Sequence, residues 1–419
     1  MRVLVLNSGS SSIKYQLFDM RERSLLAKGA AERIGEPGSR LVHGQRDSTG
    51  ALHEEVTDSE LPDHAAALDR IMSLLDDGAG AEDGGELIGI GHRVVHGGEE
   101  FRDPRVIDEP VIEAIRKLSP LAPLHNPANL LCIEVAMARR PDVPQVAVFD
   151  TAFHQSIPPH AYRYAVPEAW YQAHGVRRYG FHGTSHAYVA NQAALQLGRP
   201  LRELNLIVLH LGNGASVTAI EKGKSVDTSM GLTPLEGLVM GTRPGDIDPG
   251  VLIYLARQRG MSVDEIDADL NGESGLEGLC GVSDLRDVLQ REAAGDSRAR
   301  LALEVYVYRI RKYIGAYTAA LGQVDAIVFT AGVGENSPDI RERACEGLGA
   351  LGVELDQTRN RARKRGSREI QREGAPVAVL VVPTNEELEI AEQALRCIHP
   401  GSQPAGDGPA PAGRNKMAF

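Results

Sequence analysis

The residues best suited to chemistry come first in the chain: Asn7-Ser8-Gly9-Ser10-Ser11-Ser12-Ile13-Lys14. An apolar run, Val3–Leu6, precedes them and an alternating segment, Tyr15–Asp19, follows, which spells strand, tight turn, strand. Small residues in the turn let backbone N–H groups face an anion with no Cβ in the way. The serine hydroxyls add donors, Lys14 adds positive charge, and Asn7 at the strand end can touch a hydrated cation. The loop suits a phosphate; a plain Ser/Gly-rich hairpin is the competing reading. The device recurs at His210-Leu211-Gly212-Asn213-Gly214, between the buried strand Leu206–His210 and the return strand Val217–Glu221. A third turn, Gly332-Val333-Gly334-Glu335-Asn336, follows the strand Ala326–Phe329 and leads into a helix that Ser337 caps, with Pro338 at its first position. A helix start reached this way suits an anionic or adenosine ligand.

Charged candidates stand at other strand ends and in Gly/Pro-bounded loops. Arg93 follows the strand Leu87–Ile90 in Gly91-His92-Arg93, and Arg243 lies in Gly241-Thr242-Arg243-Pro244-Gly245. A guanidinium matches carboxylate or phosphoryl oxygens bidentately and keeps its charge; a structural ion pair is the plain alternative. Asp150 ends the strand Gln145–Phe149, where it either serves a site or caps a turn. His182 and His186 share Gly180-Phe181-His182-Gly183-Thr184-Ser185-His186, a His-x-x-x-His spacing with no intervening Glu and no evident third ligand for zinc. His96, His154 and His210 read equally well as satisfied structural histidines. No G-x-x-x-x-G-K-[ST] loop occurs, and Gly347-Leu348-Gly349-Ala350-Leu351-Gly352 follows a helical segment, so it fails the context a dinucleotide fingerprint requires.

Elements must position these residues. The first part carries strands at Val3–Leu6, Tyr15–Asp19, Leu26–Glu32, Leu87–His92 and Gln145–Phe149, with helices at Asp63–Leu75, Pro110–Leu118 and Pro127–Arg139. After Asp150 the order repeats, with strands at Leu206–His210, Val217–Glu221, Ser225–Asp227, Ala326–Phe329 and Val377–Val382. The helices there are Pro249–Arg259, Ser297–Leu321 and Ser337–Leu348, and a closing helix, Glu386–Cys397, returns to the first part. Two phosphate-type hairpins half a chain apart point to a duplicated α/β domain with nucleotide in between. A length of 419 residues agrees with two domains. A net charge of −12 speaks against a nucleic-acid or anionic-membrane surface. The basic stretch Arg359–Arg372 is interrupted by Gly366 and Glu369 and reads as a solvated helix face. No pair among Cys132, Cys280, Cys345 and Cys397 has metal or redox spacing, which fits a reducing cytoplasm. No leader or apolar span of membrane length is expected, and residues 399–419 read as a disordered tail.

Taken together the motifs resemble the acetokinase family, in the sugar kinase/actin/chaperone ATPase superfamily, from Met1 to about Cys397. The likeness is carried by Leu6–Tyr15, Gly91–Gly97, Phe149–His154, Gly180–His186, His210–Ser216, Asp227–Asp248, Gly332–Asn336 and Asn385–Glu387. It implies two duplicated actin-like ATPase (ribonuclease-H-like) domains, 1–150 with 386–398 and 151–385, around a nucleotide cleft. It also implies a homodimer held by the second domain, and reversible phosphorylation of acetate by ATP with magnesium, or manganese in its place.

By the same resemblance Asp150, His182, Arg243 and Arg93 are catalytic. Val95, Leu124, Phe181 and Pro234 join Arg93 in binding the acid. Lys14, His210, Leu211, Gly212, Asn213, Gly214, Asp284, Leu285, Arg286, Gly332, Val333, Gly334, Glu335 and Asn336 bind nucleotide. Asn7 and Glu386 bind metal, and His125 supports the substrate region. The segment Gly281–Arg286 is one residue shorter than the family's usual form. Because acetate is ionised at neutral pH, Asp150 is read as orienting metal and a nearby arginine rather than abstracting a proton. Two other readings stay open: a relative that phosphorylates propionate or butyrate, and an ATPase interaction module with no carboxylate site.

Overall fold

The computed structural model describes residues 1–47, 49, 51–77, 85–123 and 125–400. Leu124 and positions 401–419 of the expected tail lie outside the described residues. The first sheet holds β1 (Arg2–Ser8), β2 (Ser12–Asp19), β3 (Ser24–Glu32), β4 (Arg40–Arg46), β5 (Leu52–Asp58), β6 (Leu87–Val94), β7 (Arg105–Val106) and β8 (Gln145–Phe149), in the order β5-β4-β3-β2-β1-β6-β8-β7. The second holds β9 (Asn205–Leu211), β10 (Ala215–Glu221), β11 (Lys224–Thr228), β12 (Ala326–Thr330), β13 (Arg368–Glu369) and β14 (Ala378–Val381), in the order β11-β10-β9-β12-β14-β13. Each sheet contains the same plan: an antiparallel meander whose first strand is followed by two parallel neighbours. It is β3-β2-β1-β6-β8 in one and β11-β10-β9-β12-β14 in the other. The fold is therefore α/β and built twice, the actin-like ATPase arrangement.

The central strands are apolar on both faces because both faces are covered. On β1, Leu4 and Leu6 meet Leu68 and Ile71 of the helix His64–Asp77 and Ala136 of the helix Asn126–Arg139. Val3 and Val5 point the other way, onto Ile390, Ala391 and Ala394 of the helix Glu386–Ile398. The closing helix thus packs on the first sheet. The Asn385 side chain caps its start, Glu386, Glu387 and Glu389 lie in its first turn, and Arg396 lies in its last, each on the favourable side of the helix dipole. In the second sheet, Ile207 and Leu209 face the helix Ser297–Leu321 while Leu206 and Val208 face the helix Gly183–Leu197.

Several elements differ from expectation. The hairpin β4–β5 has no counterpart in the sequence reading, because β5 is exposed nearly throughout and shows no apolar alternation. The helix Gly183–Leu197 opens with Gly-Thr-Ser, which reads as a turn. The third Gly-rich segment is not a loop: Ala331–Asn336 forms a short helix, entered through Ala331 at a φ of 64°.

Candidate active site

Strand register assembles the first half of the site. β1 and β6 are parallel with Leu6 beside His92, so Asn7 and Arg93 emerge as neighbours. β6 and β8 are parallel with Val94 beside Phe149, so Asp150 emerges next to them. β1 and β2 place Lys14 directly across from Asn7. Asn7, Arg93 and Asp150, remote in sequence, therefore share the carboxyl ends of adjacent parallel strands, where open α/β sheets bind ligands, and Lys14 joins them from the amino end of the antiparallel β2. Arg93 donates through Nε and Nη2 to Oδ2 of Asp150, at 3.0 and 2.5 Å, and through Nη1 to Asn7 Oδ1 at 3.3 Å. Asp150 is fully buried, and Thr184 Oγ1 donates to its Oδ1 at 3.3 Å. Burial opposes the Arg93 charge, but Asp150, Glu386 and Glu387 outweigh it and raise its pKa.

The second half converges from the other sheet. His182 sits at φ 57°, ψ 27°, the left-handed region, immediately before the helix Gly183–Leu197. A side chain rarely adopts that conformation unless its surroundings impose it. Gly183 lets the helix start press on β8: its N–H donates to Asp150 O at 2.9 Å, and a Cβ there would lie 2.1 Å from that oxygen. The His182 ring stacks on His210 with centroids 4.2 Å apart, and its Nδ1 lies 2.9 Å from Ser216 Oγ. Burial first, then His210, His186, Arg93 and Arg243, hold the His182 pKa well below its usual value, so the ring is neutral.

Arg243 comes from the long segment between β11 and the helix Pro249–Arg259. Arg178 braces this segment by donating to the carbonyls of Thr228, Ser229 and Met230, and Arg309 by donating to that of Gly237. Arg243 itself donates to Pro234 O at 3.1 Å, and among the described residues it has no carboxylate partner. Burial lowers its pKa. A Cβ built on Gly214 would lie 3.6 Å from His182 Nε2 and 3.8 Å from Arg243 Nη1, so the loop, the imidazole and the guanidinium meet at one point. His125 belongs to the same field, its pKa lowered by burial and then by Arg93 and Arg243. A half-buried guanidinium with no carboxylate partner among the described residues, beside a neutral imidazole, can receive the oxygens of an anion.

Val95 and Phe181 are 6% and 3% exposed and share a cluster with Ala122, Leu238 and Met240, so each offers at most an edge to a ligand. Leu211 and Leu285 are also core side chains, which leaves only their backbones for a nucleotide. Asn213 packs on Gly241, whose N–H donates to Asn213 O at 2.9 Å, and Ser283 O lies against the same glycine. That contact sets the Asp284 segment against the Arg243 segment. Asp284 caps the helix Leu285–Ala293, and Arg286 is almost fully exposed and folded back onto Asp284. Glu335 Oε1 accepts from Thr384 N at 3.2 Å.

The sequence reading passed over residues that hold these groups in place. Arg341, 1% exposed, donates to the carbonyls of Gly334, Glu335 and Asn360 and so fixes the end of the helix Ala331–Asn336. Thr184 and Ser216 lie within the segments Gly180–His186 and His210–Ser216, where small hydroxyl residues carry little signal of their own. His154 is structural, its Nε2 donating to Phe181 O at 2.9 Å with Ser225 Oγ on Nδ1.

Burial, and then Asp150 and Glu387, push the Glu386 carboxyl up to about 7 against the opposing pull of Arg93 and Lys14. Among the described residues no group of three or more His, Cys, Asp or Glu side chains is arranged to hold a metal unaided. One or two carboxylates completed by water and phosphate oxygens suit magnesium, and Asn7 and Glu386 fit that pattern. One consequence is measurable without any ligand. The unfolded carboxyl ionises near 4.5 and the folded one near 7, so the folded state binds the extra proton between those values. Stability is lost as pH rises through this window and stays lower above it. Glu386→Gln should therefore melt close to the wild type at pH 4.5 and distinctly above it at pH 8; equal gaps at both pH values would mean that the carboxyl is not held this way.

Comparison with known proteins identifies the family. A family model described as the Acetokinase family matches residues 2–392. The chain is 58% identical over 398 residues to an acetate kinase of Streptomyces griseus subsp. griseus, covering 95% of this chain and 96% of the relative. The crystal structure of Porphyromonas gingivalis acetate kinase superposes with a TM-score of 0.89 at 44% identity, covering 95% of this chain and 99% of that one. A propionate kinase from Francisella tularensis subsp. tularensis superposes with a TM-score of 0.88 at 41% identity, covering 94% and 99%. With its paired strand ends, its phosphate-type hairpins and these likenesses over nearly its whole length, the chain belongs to the acetokinase family of carboxyl-group kinases.

Proposed function

We propose that this chain transfers the γ-phosphoryl group of ATP reversibly to acetate, giving acetyl phosphate and ADP, by one direct in-line displacement. The observation that carries the reading is the convergence of Arg243, His182 and Gly214, opposite the Arg93–Asp150 pair. The attacking group is the acid's own carboxylate, already ionised at neutral pH, so positioning and charge neutralisation suffice. Arg93, held in place by Asp150, binds the carboxylate. Arg243 takes the oxygens of the migrating phosphoryl, and neutral His182 donates a hydrogen bond to it. Lys14, the segment His210–Gly214, the residues Asp284–Arg286 and the segment Gly332–Asn336 form the nucleotide side. Asn7 and Glu386 hold magnesium, which, when bound, neutralises phosphate charge.

Two domains, 1–150 with 386–398 and 151–385, close around the substrates; each sheet's own core and the packing of the last helix support that division. A homodimer through the second domain is supported by a group of exposed apolar side chains there: Val251, Ile253 and Tyr254 on the helix Pro249–Arg259, with Ile247, Leu301 and Tyr308. A cytoplasmic location is supported by four cysteines that are all free.

The test is to trap acyl phosphate with hydroxylamine, offering acetate, propionate and butyrate in parallel with magnesium and ATP. Hydroxamate falling along the series is expected; a maximum at propionate would favour the second reading, to which the propionate kinase likeness gives weight. Hydrolysis of ATP with no hydroxamate would overturn both. Val95→Ala should raise the propionate-to-acetate ratio of kcat/KM about tenfold, or ~1–2 kcal/mol, by opening the acyl end. An unchanged ratio would place Val95 in the core alone.

A further inference from the structure

Ser216 Oγ stands between two imidazoles, 2.9 Å from His182 Nδ1 and 2.8 Å from His186 Nε2. Ser216 and His186 are fully buried, and His186 Nδ1 is a buried atom with no partner. Both rings are neutral, chiefly through burial, so each carries one N–H. The nearby rings cannot change this count. Both nitrogens of His154 are taken, by Ser225 and Phe181, and His210 Nδ1 is bonded to Ser185 Oγ at 2.7 Å.

Serine has one proton to give, which leaves three arrangements. If Ser216 donated to His186, the His186 N–H would lie on Nδ1, a buried donor with no acceptor, which folded proteins avoid. If both rings donated to Ser216, the hydroxyl proton would have no acceptor. In the third, His186 Nε2–H donates to Ser216 Oγ and Ser216 O–H donates to His182 Nδ1, leaving only a lone pair at the orphaned atom. His182 then carries its single N–H on Nε2, the atom beside Gly214 and Arg243.

We infer that Ser216 and His186 are positioning residues that fix the tautomer of His182, so that its one N–H points at the phosphoryl group in transfer. The inference rests on the phosphoryl-transfer reading above. In the other tautomer, Nε2 would present a lone pair to anionic oxygens and repel them.

The test is ¹⁵N-histidine labelling of the nucleotide-free full chain with long-range ¹H–¹⁵N correlation, His182 being assigned by loss of its signals in His182→Gln. The wild type should show His182 protonated on Nε2 and bare on Nδ1, Ser216→Ala a mixture of tautomers, and Ser216→Thr the wild-type pattern. Ser216→Ala should lose ~10–100-fold in kcat with both KM values within about twofold, and Ser216→Thr should regain most of it. If Ser216→Ala does not fold, His186→Gln, which keeps an N–H at the Nε2 position, should hold the tautomer while His186→Leu should not. A wild-type His182 protonated on Nδ1, or an unchanged kcat in folded Ser216→Ala, would overturn the inference. The spectrum needs no turnover: the Nε2–H tautomer without acyl phosphate formation would sink the functional reading and leave the tautomer assignment standing.

Discussion

Arg243→Ala should fold with nearly unchanged stability and lose about 10³–10⁵ in kcat, the range for removing a cation that meets transition-state charge. The two halves of this expectation have separate causes. Stability is spared because Arg243 has no carboxylate partner among the described residues, its contacts being Pro234 O and Met240 Sδ. Its removal strands no buried counter-charge. Activity is lost because a desolvated guanidinium beside neutral His182 is the positive group placed to take a phosphoryl oxygen as charge spreads over the group in flight. Arg243→Lys restores charge but not the planar fork, and should recover only part of the loss. Steady-state kinetics and thermal melts on the three proteins check both halves together. A fall in stability matching the fall in rate would make Arg243 a structural residue.

Arg93 should behave in the opposite way. Arg93→Ala leaves Asp150 fully buried with Thr184 as its remaining side-chain partner, and an uncompensated buried charge costs about 3–5 kcal/mol. The single variant should therefore lose both activity and stability. Adding Asp150→Asn removes the stranded charge, so Arg93→Ala/Asp150→Asn should regain a large part of the stability while its activity stays absent. Denaturant unfolding of the wild type, both single variants and the double variant gives the coupling directly. Additive stability losses would mean that the pair is not the unit that the 2.5 Å contact describes.

How much of this was legible in the sequence depends on what kind of signal each part gives. The central strands announce themselves as apolar runs because they are covered on both faces, as Val3–Leu6 and Leu206–Leu209 are. β5 gives no such run, since its His53-Glu54-Glu55 face water and its place is set by pairing with β4. Ala331–Asn336 reads as a loop by propensity; tertiary hydrogen bonds from Arg341 to its last carbonyls overrule that preference. In the site, residue types stood out wherever charge or glycine was concentrated, as at Arg93, Arg243, His182 and the two hairpins. The juxtaposition of Asn7, Arg93 and Asp150 is a consequence of strand register and becomes visible only once β1, β6 and β8 are laid side by side. Ser216 ends the segment His210–Ser216, yet its task depends on two histidines from another element. Nothing in the local sequence marks such a bridge.

The proposed reaction is a single direct transfer from nucleotide to carboxylate. Asp150 is held by Arg93 and Thr184 and so is not placed as a free nucleophile. The most direct test is the stereochemical course at phosphorus, using ATP made chiral at the γ position with three oxygen isotopes and acetate as acceptor. One in-line displacement predicts inversion of configuration in acetyl phosphate; retention would require two displacements through a phosphorylated side chain and would contradict the account.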